Sequence, residues 1–258
     1  MATRIGDYRQ EVTEPSRLEL MNIARWLQEH RLTAYLVGGW AVYFHTKPRE
    51  RPPAVAGKAI VGESKAGDRF GFAPLGSKDI DLVFENKKAR ERFEQEYCRE
   101  NGYRKHEFLG RTELAKFTGT ADIILDLDLL SNTRVVRGIT VRWSEMSEHS
   151  ANIVLDGSAL APSKELLLLY KCVALVERTD ERNKPYPDLN RLESKIWKDA
   201  NDVLALHDAG INSRALEELA KKTGLAPIVK AAKQIIAENY DEYEFKQYAF
   251  SKQFLEEE

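Results

Sequence analysis

The chain has 258 residues, and its 39 Lys+Arg against 41 Asp+Glu leave a formal charge of −2. That length is enough for two modest domains or one large one with a proper core. The balanced charge excludes a polycation that holds nucleic acid through net charge alone, although it leaves room for a local basic surface.

In chain order, Ser16 to His30 sets Leu20, Ile23, Ala24 and Leu27 on one helical face, behind Pro15 and the cap candidate Thr13. A short strand over Tyr35–Val37 leads into Gly38-Gly39 and a predicted helix from Trp40 to His45. Lys47 to Ser77, rich in Pro, Gly and charge, reads as a long loop. A strand over Asp79–Phe84 follows, then a charged amphipathic helix from Lys87 to Asn101, with Gly102 in the position that ends it. Strand signals come next over Tyr103–Leu109, Glu113–Thr118, Ala121–Leu130 and Val135–Val141. After Pro162 the pattern turns helical: Ser163–Arg178, Leu189–Ala209 ended by Gly210, Ser213–Thr223 ended by Gly224, and Pro227–Asn239. Strands followed by helices imply an α+β fold with a mixed sheet, flanking helices and a helical C-terminal domain. The expected boundary lies near Leu160–Ser163, giving domains over 1–160 and 161–258.

The opening Met1-Ala2-Thr3-Arg4-Ile5-Gly6-Asp7 has no apolar leader, and no apolar run approaches the roughly 20 residues that span a bilayer. Cys98 and Cys172 stand far apart, with neither metal-ligand nor redox spacing. A cytoplasmic protein with reduced thiols and no membrane association is expected.

The carboxylates carry the chemistry. Asp79 and Asp81 are two apart on one strand, so both side chains stand on one face. Adjacent carboxylates repel; a divalent cation reverses that cost, and a third carboxylate from a neighbouring strand would complete an oxygen site. The bland alternative is a solvated strand edge, but Leu82-Val83-Phe84 makes this strand look central. Asp126 and Asp128 alternate with Leu125, Leu127 and Leu129, and both have the parity required of the third ligand. Gly38-Gly39 is a tight strand-to-helix turn, or a turn whose amides also meet phosphate. Ser77 serves as a turn residue or a phosphate contact. Lys171 interrupts a long apolar stretch, either snorkelling out of a packed helix or supplying a point charge to a triphosphate. Arg178, Lys198, Asp199 and Asp202 read either as ordinary i,i+4 pairs or as a set in which the aspartates orient Lys171 or a nucleotide. Arg49, Arg51, Lys58, Lys65 and Arg69 form a basic loop: a solvated one, or one that closes on a polyanion. The five His residues show no metal spacing, and no nucleophile elbow, P-loop or dinucleotide fingerprint is present.

Three stretches together resemble the DNA polymerase beta-like nucleotidyltransferase superfamily: Leu36-Val37-Gly38-Gly39-Trp40, Gly76-Ser77-Lys78-Asp79-Ile80-Asp81 and Leu125-Asp126-Leu127-Asp128. Within it, the chain looks most like the minimal and abortive-infection-type enzymes of prokaryotic toxin-antitoxin systems. Lys171, Arg178, Lys198-Asp199 and Asp202 resemble the series on those families' C-terminal helices. The resemblance implies a magnesium-dependent transfer of NMP from an NTP such as ATP to a hydroxyl acceptor, with two Mg2+ ions or Mn2+ in their place. It implies catalytic and metal-binding roles for Asp79, Asp81 and Asp126 or Asp128, the third aspartate acting as general base. It implies nucleotide binding by Gly38, Gly39, Ser77, Lys171, Asp199 and Asp202. The acceptor is a tRNA end, a partner protein or a small hydroxylated molecule. This chain departs from the pattern in the long Lys47–Ser77 insertion and in the ambiguity between Asp126 and Asp128. Two other functions fit the same residues: a nucleotide- or RNA-binding regulator with little turnover, and a metal-dependent phosphohydrolase or nuclease.

Overall fold

The computed structural model describes residues 8, 10–46, 75–108, 111–119, 122–155, 157–185, 188–239 and 254–255. Most of the Lys47–Ser77 segment, with its basic residues Arg49, Arg51, Lys58, Lys65 and Arg69, lies outside the described residues.

Alternating side chains build the central sheet. In β2 (Asp79–Phe84), Ile80, Leu82 and Phe84 are buried on one side, while Asp79 and Asp81, largely covered but reaching the cleft, lie on the other. β2 lies between antiparallel β1 (Ala34–Val37) and parallel β5 (Asp122–Leu129). Beyond β5 come antiparallel β4 (Arg111–Phe117) and β3 (Arg104–Phe108). A separate hairpin follows β5, formed by β6 (Thr133–Val136) and β7 (Ile139–Arg142). On the other side of β1 lie parallel β9 (Gly157–Pro162) and then antiparallel β8 (Ser150–Leu155), giving the order β3-β4-β5-β2-β1-β9-β8.

Helix α1 (Gln10–Glu29) packs on β9 and β2, and α3 (Lys87–Arg92) packs on β2 and β5. The helix begun by α3, capped by the Asn86 side chain, continues as a π-helical turn over Phe93–Cys98. Phe93 packs 5.2 Å from the Phe84 ring and 5.7 Å from the Trp26 ring, which closes the core beneath the sheet. The buried Glu19 of α1 accepts hydrogen bonds from Tyr97 and Tyr103 and pairs with Lys116, so its charge is compensated in place.

Helix α2 (Gly38–Thr46) joins β1 to the helical half, formed by α4 (Lys164–Arg182), α5 (Leu189–Asp208), α6 (Ser213–Thr223) and α7 (Ala226–Glu238). Ser163, Asp188 and Asn212 cap α4, α5 and α6 with their side chains, and Gly224 ends α6 in the left-handed region. No helix among the described residues is long and apolar enough to cross a membrane.

Three elements differ from the sequence expectation. α1 begins at Gln10, so Pro15 lies inside it rather than at its start; proline removes one donor without stopping a helix whose buried face is anchored in the core. The single strand expected over Val135–Val141 is the β6–β7 hairpin, turned by Arg137 (φ 49) and Gly138 (φ 79). Two successive positive φ values are those of a type I′ turn, whose twist suits a two-residue hairpin. The β8–β9 hairpin has no counterpart in the sequence reading.

Candidate active site

Val37, the last residue of β1, sits opposite Asp81 of β2. The chain turns at once through Gly38, at φ +66, into α2. A β-carbon on Gly38 would overlap the Asp81 carboxylate, so this position needs glycine for its backbone and for room. A β-carbon on Gly39 would lie 2.9 Å from Ser77 Cβ and 3.5 Å from Lys198 Nζ. Helix start, Ser77 hydroxyl, Lys198 ammonium and Asp81 carboxylate therefore meet in one corner. The first amides of α2 lack intrahelical partners and carry the positive end of the helix dipole, a natural seat for an anion. Ser16 of α1 fixes this corner from below: its hydroxyl hydrogen-bonds the Ser77 carbonyl and accepts from Trp40 Nε1 at 3.2 Å.

On the sheet, parallel register sets Asp81 opposite Asp126 and Val83 opposite Asp128. The three carboxylates behave differently. Asp81 is pushed up to about 7, first by burial and then by the negative charges of Asp126 and Asp79, with Lys171 and Lys195 pulling the other way. Asp126 is exposed to the cleft. Asp128 is engaged by the protein: it accepts from Trp143 Nε1 at 2.6 Å, from its neighbour's Leu129 amide at 2.9 Å and from the Asn132 side-chain amide. Asp79 is bridged across the cleft by Lys195, Nζ to Oδ2 3.2 Å. Glu113 of β4 also faces this charge; burial and then Asp79 hold its carboxyl above the usual glutamate range.

These hard oxygens suit Mg2+ or Mn2+ chemically. Asp81 is raised by burial first and by the crowding of Asp126 and Asp79 second, and a bound cation would offset both. The oxygens are not yet closed on a point, however. Among the described residues, the set offering ligand atoms mutually within 4.8 Å is Glu145, Glu148 and His149, not the aspartates. At that other set, Lys222 Nζ already lies 2.8 Å from Glu148 and 3.8 Å from Glu145.

The facing wall is cationic and comes from α4 and α5. Lys171 lies 3.1 Å from Asp199 and 2.8 Å from Asp202; Arg178 pairs with Asp199, and Lys198 pairs with Asp202. Asp199 and Asp202 are 0 % and 1 % exposed, so they can be tolerated ionised only with such partners. Three cations against two carboxylates leave the wall positive. Burial pulls Lys198 down to about 8, against the opposing pull of Asp202, and Lys171 adds to the lowering.

Between the walls lies a cleft of about 860 Å³, room for a nucleotide-sized ligand. Of the residues singled out in the sequence, Gly38, Gly39, Ser77, Asp79, Asp81, Asp126, Asp128, Lys171, Arg178, Lys198 and Asp199 line it. Asp202 stands behind this lining, holding Lys171 and Lys198. Lys195, Glu113 and Trp143 also line the cleft and were not foreseen. Lys195 is three residues before Lys198 and so on the same face of α5, a signal that could have found it; Trp143 left none.

No protein-family model matches the chain, and no curated protein does. Among solved structures, it is similar to an antigenic nucleotidyltransferase-like protein from Paracoccidioides brasiliensis, with 12% identity over 84% of this chain and 90% of that one and a TM-score of 0.37. It is similar to lincosamide antibiotic adenylyltransferase LnuA in its lincomycin-bound form, with 16% identity over 70% and 94% and a TM-score of 0.38. The adenylyltransferase ANT(2'')-Ia, in complex with adenylyl-2''-tobramycin, gives 16% identity over 82% and 97% and a TM-score of 0.41. Likeness of this degree assigns no activity, which rests on the cleft's own residues.

Proposed function

We propose that this chain is a metal-dependent nucleotidyltransferase that moves an NMP from an NTP to a hydroxyl acceptor and releases pyrophosphate. The carrying observation is the Asp81–Asp126 pair, set opposite in register beside the Gly38-Gly39 helix start and across a cleft from a cationic wall. In this reading residues 1–160 carry the carboxylates and 161–258 the cations.

Asp81 and Asp126, with Asp79, would hold Mg2+, which when bound supplies Lewis-acid polarisation of the α-phosphate and neutralises the departing pyrophosphate. The first amides of α2, the Ser77 hydroxyl, Lys171 and Lys198 hold the phosphates, while Asp199 and Asp202 keep the two lysines aimed. Asp126, the exposed carboxylate, takes the proton from the acceptor hydroxyl. The freed oxygen bonds to the α-phosphorus as the bond to the bridging oxygen breaks, and pyrophosphate leaves with that electron pair.

Replacing Asp79 and Asp81 together by Asn is expected to abolish transfer of label from α-³²P-NTP while circular dichroism stays unchanged. Full retained transfer by the double variant refutes the reading. Incubation with each labelled NTP and a cell extract, followed by mass identification of the labelled species, identifies the acceptor.

A further inference from the structure

Lys195 is a cleft residue to which neither the phosphate corner nor the third-carboxylate role gives a task. Its ammonium lies 3.2 Å from Asp79 Oδ2, a direct ionic link between α5 on the helical wall and β2 on the sheet. The side chains of Lys195 and Asp79 keep 29% and 24% of their exposure. An ion pair that keeps this much contact with water is weakly held and readily exchanged. Lys171 and Lys198, by contrast, are sunk against buried carboxylates, where parting the charges is far costlier. The cleft thus has two kinds of lysine, fixed and releasable.

We propose that Lys195 is a built-in stand-in for the divalent cation at Asp79, displaced when that cation enters and carried over to the triphosphate. The inference rests on the function proposed above. Two observations support it beyond the contact itself. The aspartates fall short of closing on one point while Asp79 is held by Lys195, as expected of a site whose third ligand is still engaged. Lys195 is also one turn from Lys198, on the face that reaches Gly39, so its flexible four-carbon stem needs only to swing along its own helix to meet phosphate. Lys195 is a positioning residue for the metal site and, once displaced, a ligand for the nucleotide. Nucleotide and cation then favour each other: the ion releases the ammonium that the phosphates use.

The test is calorimetric titration of Mn2+ into the nucleotide-free protein for wild type, Lys195→Met, Lys195→Arg and Asp81→Asn, with circular dichroism as the control for folding. Lys195→Met is expected to tighten Mn2+ binding about two- to tenfold, the range a water-accessible ion pair can withhold. Lys195→Arg keeps the charge and stays near wild type. With Mn2+ present, Lys195→Met binds ATP more weakly than wild type. Unchanged or weaker Mn2+ binding by Lys195→Met, while Asp81→Asn abolishes it, overturns the stand-in role. Unchanged ATP affinity overturns the transfer to phosphate. If wild type binds no Mn2+ at all, the metal-dependent reading of the whole site falls, and this inference with it.

Discussion

Asp126 and Asp128 stand two residues apart on one face of β5, and their surroundings differ in kind. Asp126 is opposite Asp81, exposed to the cleft, where it can share a cation and reach an acceptor hydroxyl. Asp128 is one step further along the strand, and its oxygens already serve Trp143, Asn132 and the Leu129 amide. A carboxylate whose oxygens are already taken up by three donors is held in place, which suits a support rather than a proton acceptor. Asp126→Asn is therefore expected to slow single-turnover transfer by about 10²–10⁴, the usual worth of a general base. Asp128→Asn keeps an oxygen for the indole and should stay within about tenfold of wild type. Equal losses in the two variants would overturn this division of roles. Strand parity made both aspartates visible in the sequence. What separates them is an indole fifteen residues downstream, brought in by a separate hairpin, and no local pattern reports that contact.

At the scale of elements, α5 shows how much a periodic pattern can and cannot tell. Its Asp188 cap was not read from the sequence, whereas its extent, from Leu189 to Asp208, and the glycine just past its end follow from apolar spacing and the stop signal. So do β2, β5 and α6, whose alternation or spacing is unbroken. The β8–β9 hairpin escaped because Ser, Ala and Gly blur its alternation, and β6–β7 escaped because its two-residue turn interrupts what looks like one strand. Nor does the pattern say that α5 buries its charges, which has a consequence for pH. The Lys198 pKa of about 8 in the folded chain compares with 10.5 for the unperturbed group. Between those values the unfolded chain binds more protons than the folded one, so this group's contribution to stability rises with pH. Its penalty is present in full below about pH 8 and fades toward 10.5, on the order of 3 kcal/mol across the window. Denaturant midpoints of wild type and Lys198→Met, measured from pH 7 to 10.5, should show wild type gaining on the variant above pH 8. Parallel profiles would mean that Lys198 is not penalised by its burial.

At the scale of the whole molecule, the cleft sets Asp79, Asp81 and Asp126 on the sheet face across from Lys171, Arg178, Lys195 and Lys198 on the facing helices. Neither wall alone suits a metal-bound triphosphate. The sheet would repel the phosphates, and on the helices Asp199 and Asp202 are buried against their own cations rather than turned to a metal. A metal–nucleotide complex carries both signs and can satisfy both walls at once, which neither Mg2+ nor ATP does separately. The core supports treating the molecule as one unit for this purpose, because its buried side chains run continuously from β1 and β2 through α2 into α4 and α5. A ligand bridging the walls should therefore stabilise the fold as a whole. At about 100 times its Kd it adds about 2.7 kcal/mol. For a chain of this size that is roughly 5 °C or more in Tm. Differential scanning fluorimetry should show Mg2+ plus ATP raising Tm by more than the sum of the shifts from Mg2+ alone and ATP alone. Asp81→Asn should lose that excess while keeping its own unliganded Tm at or above wild type, since the substitution removes a crowded charge. A merely additive shift in wild type would show that the two walls do not act on one ligand.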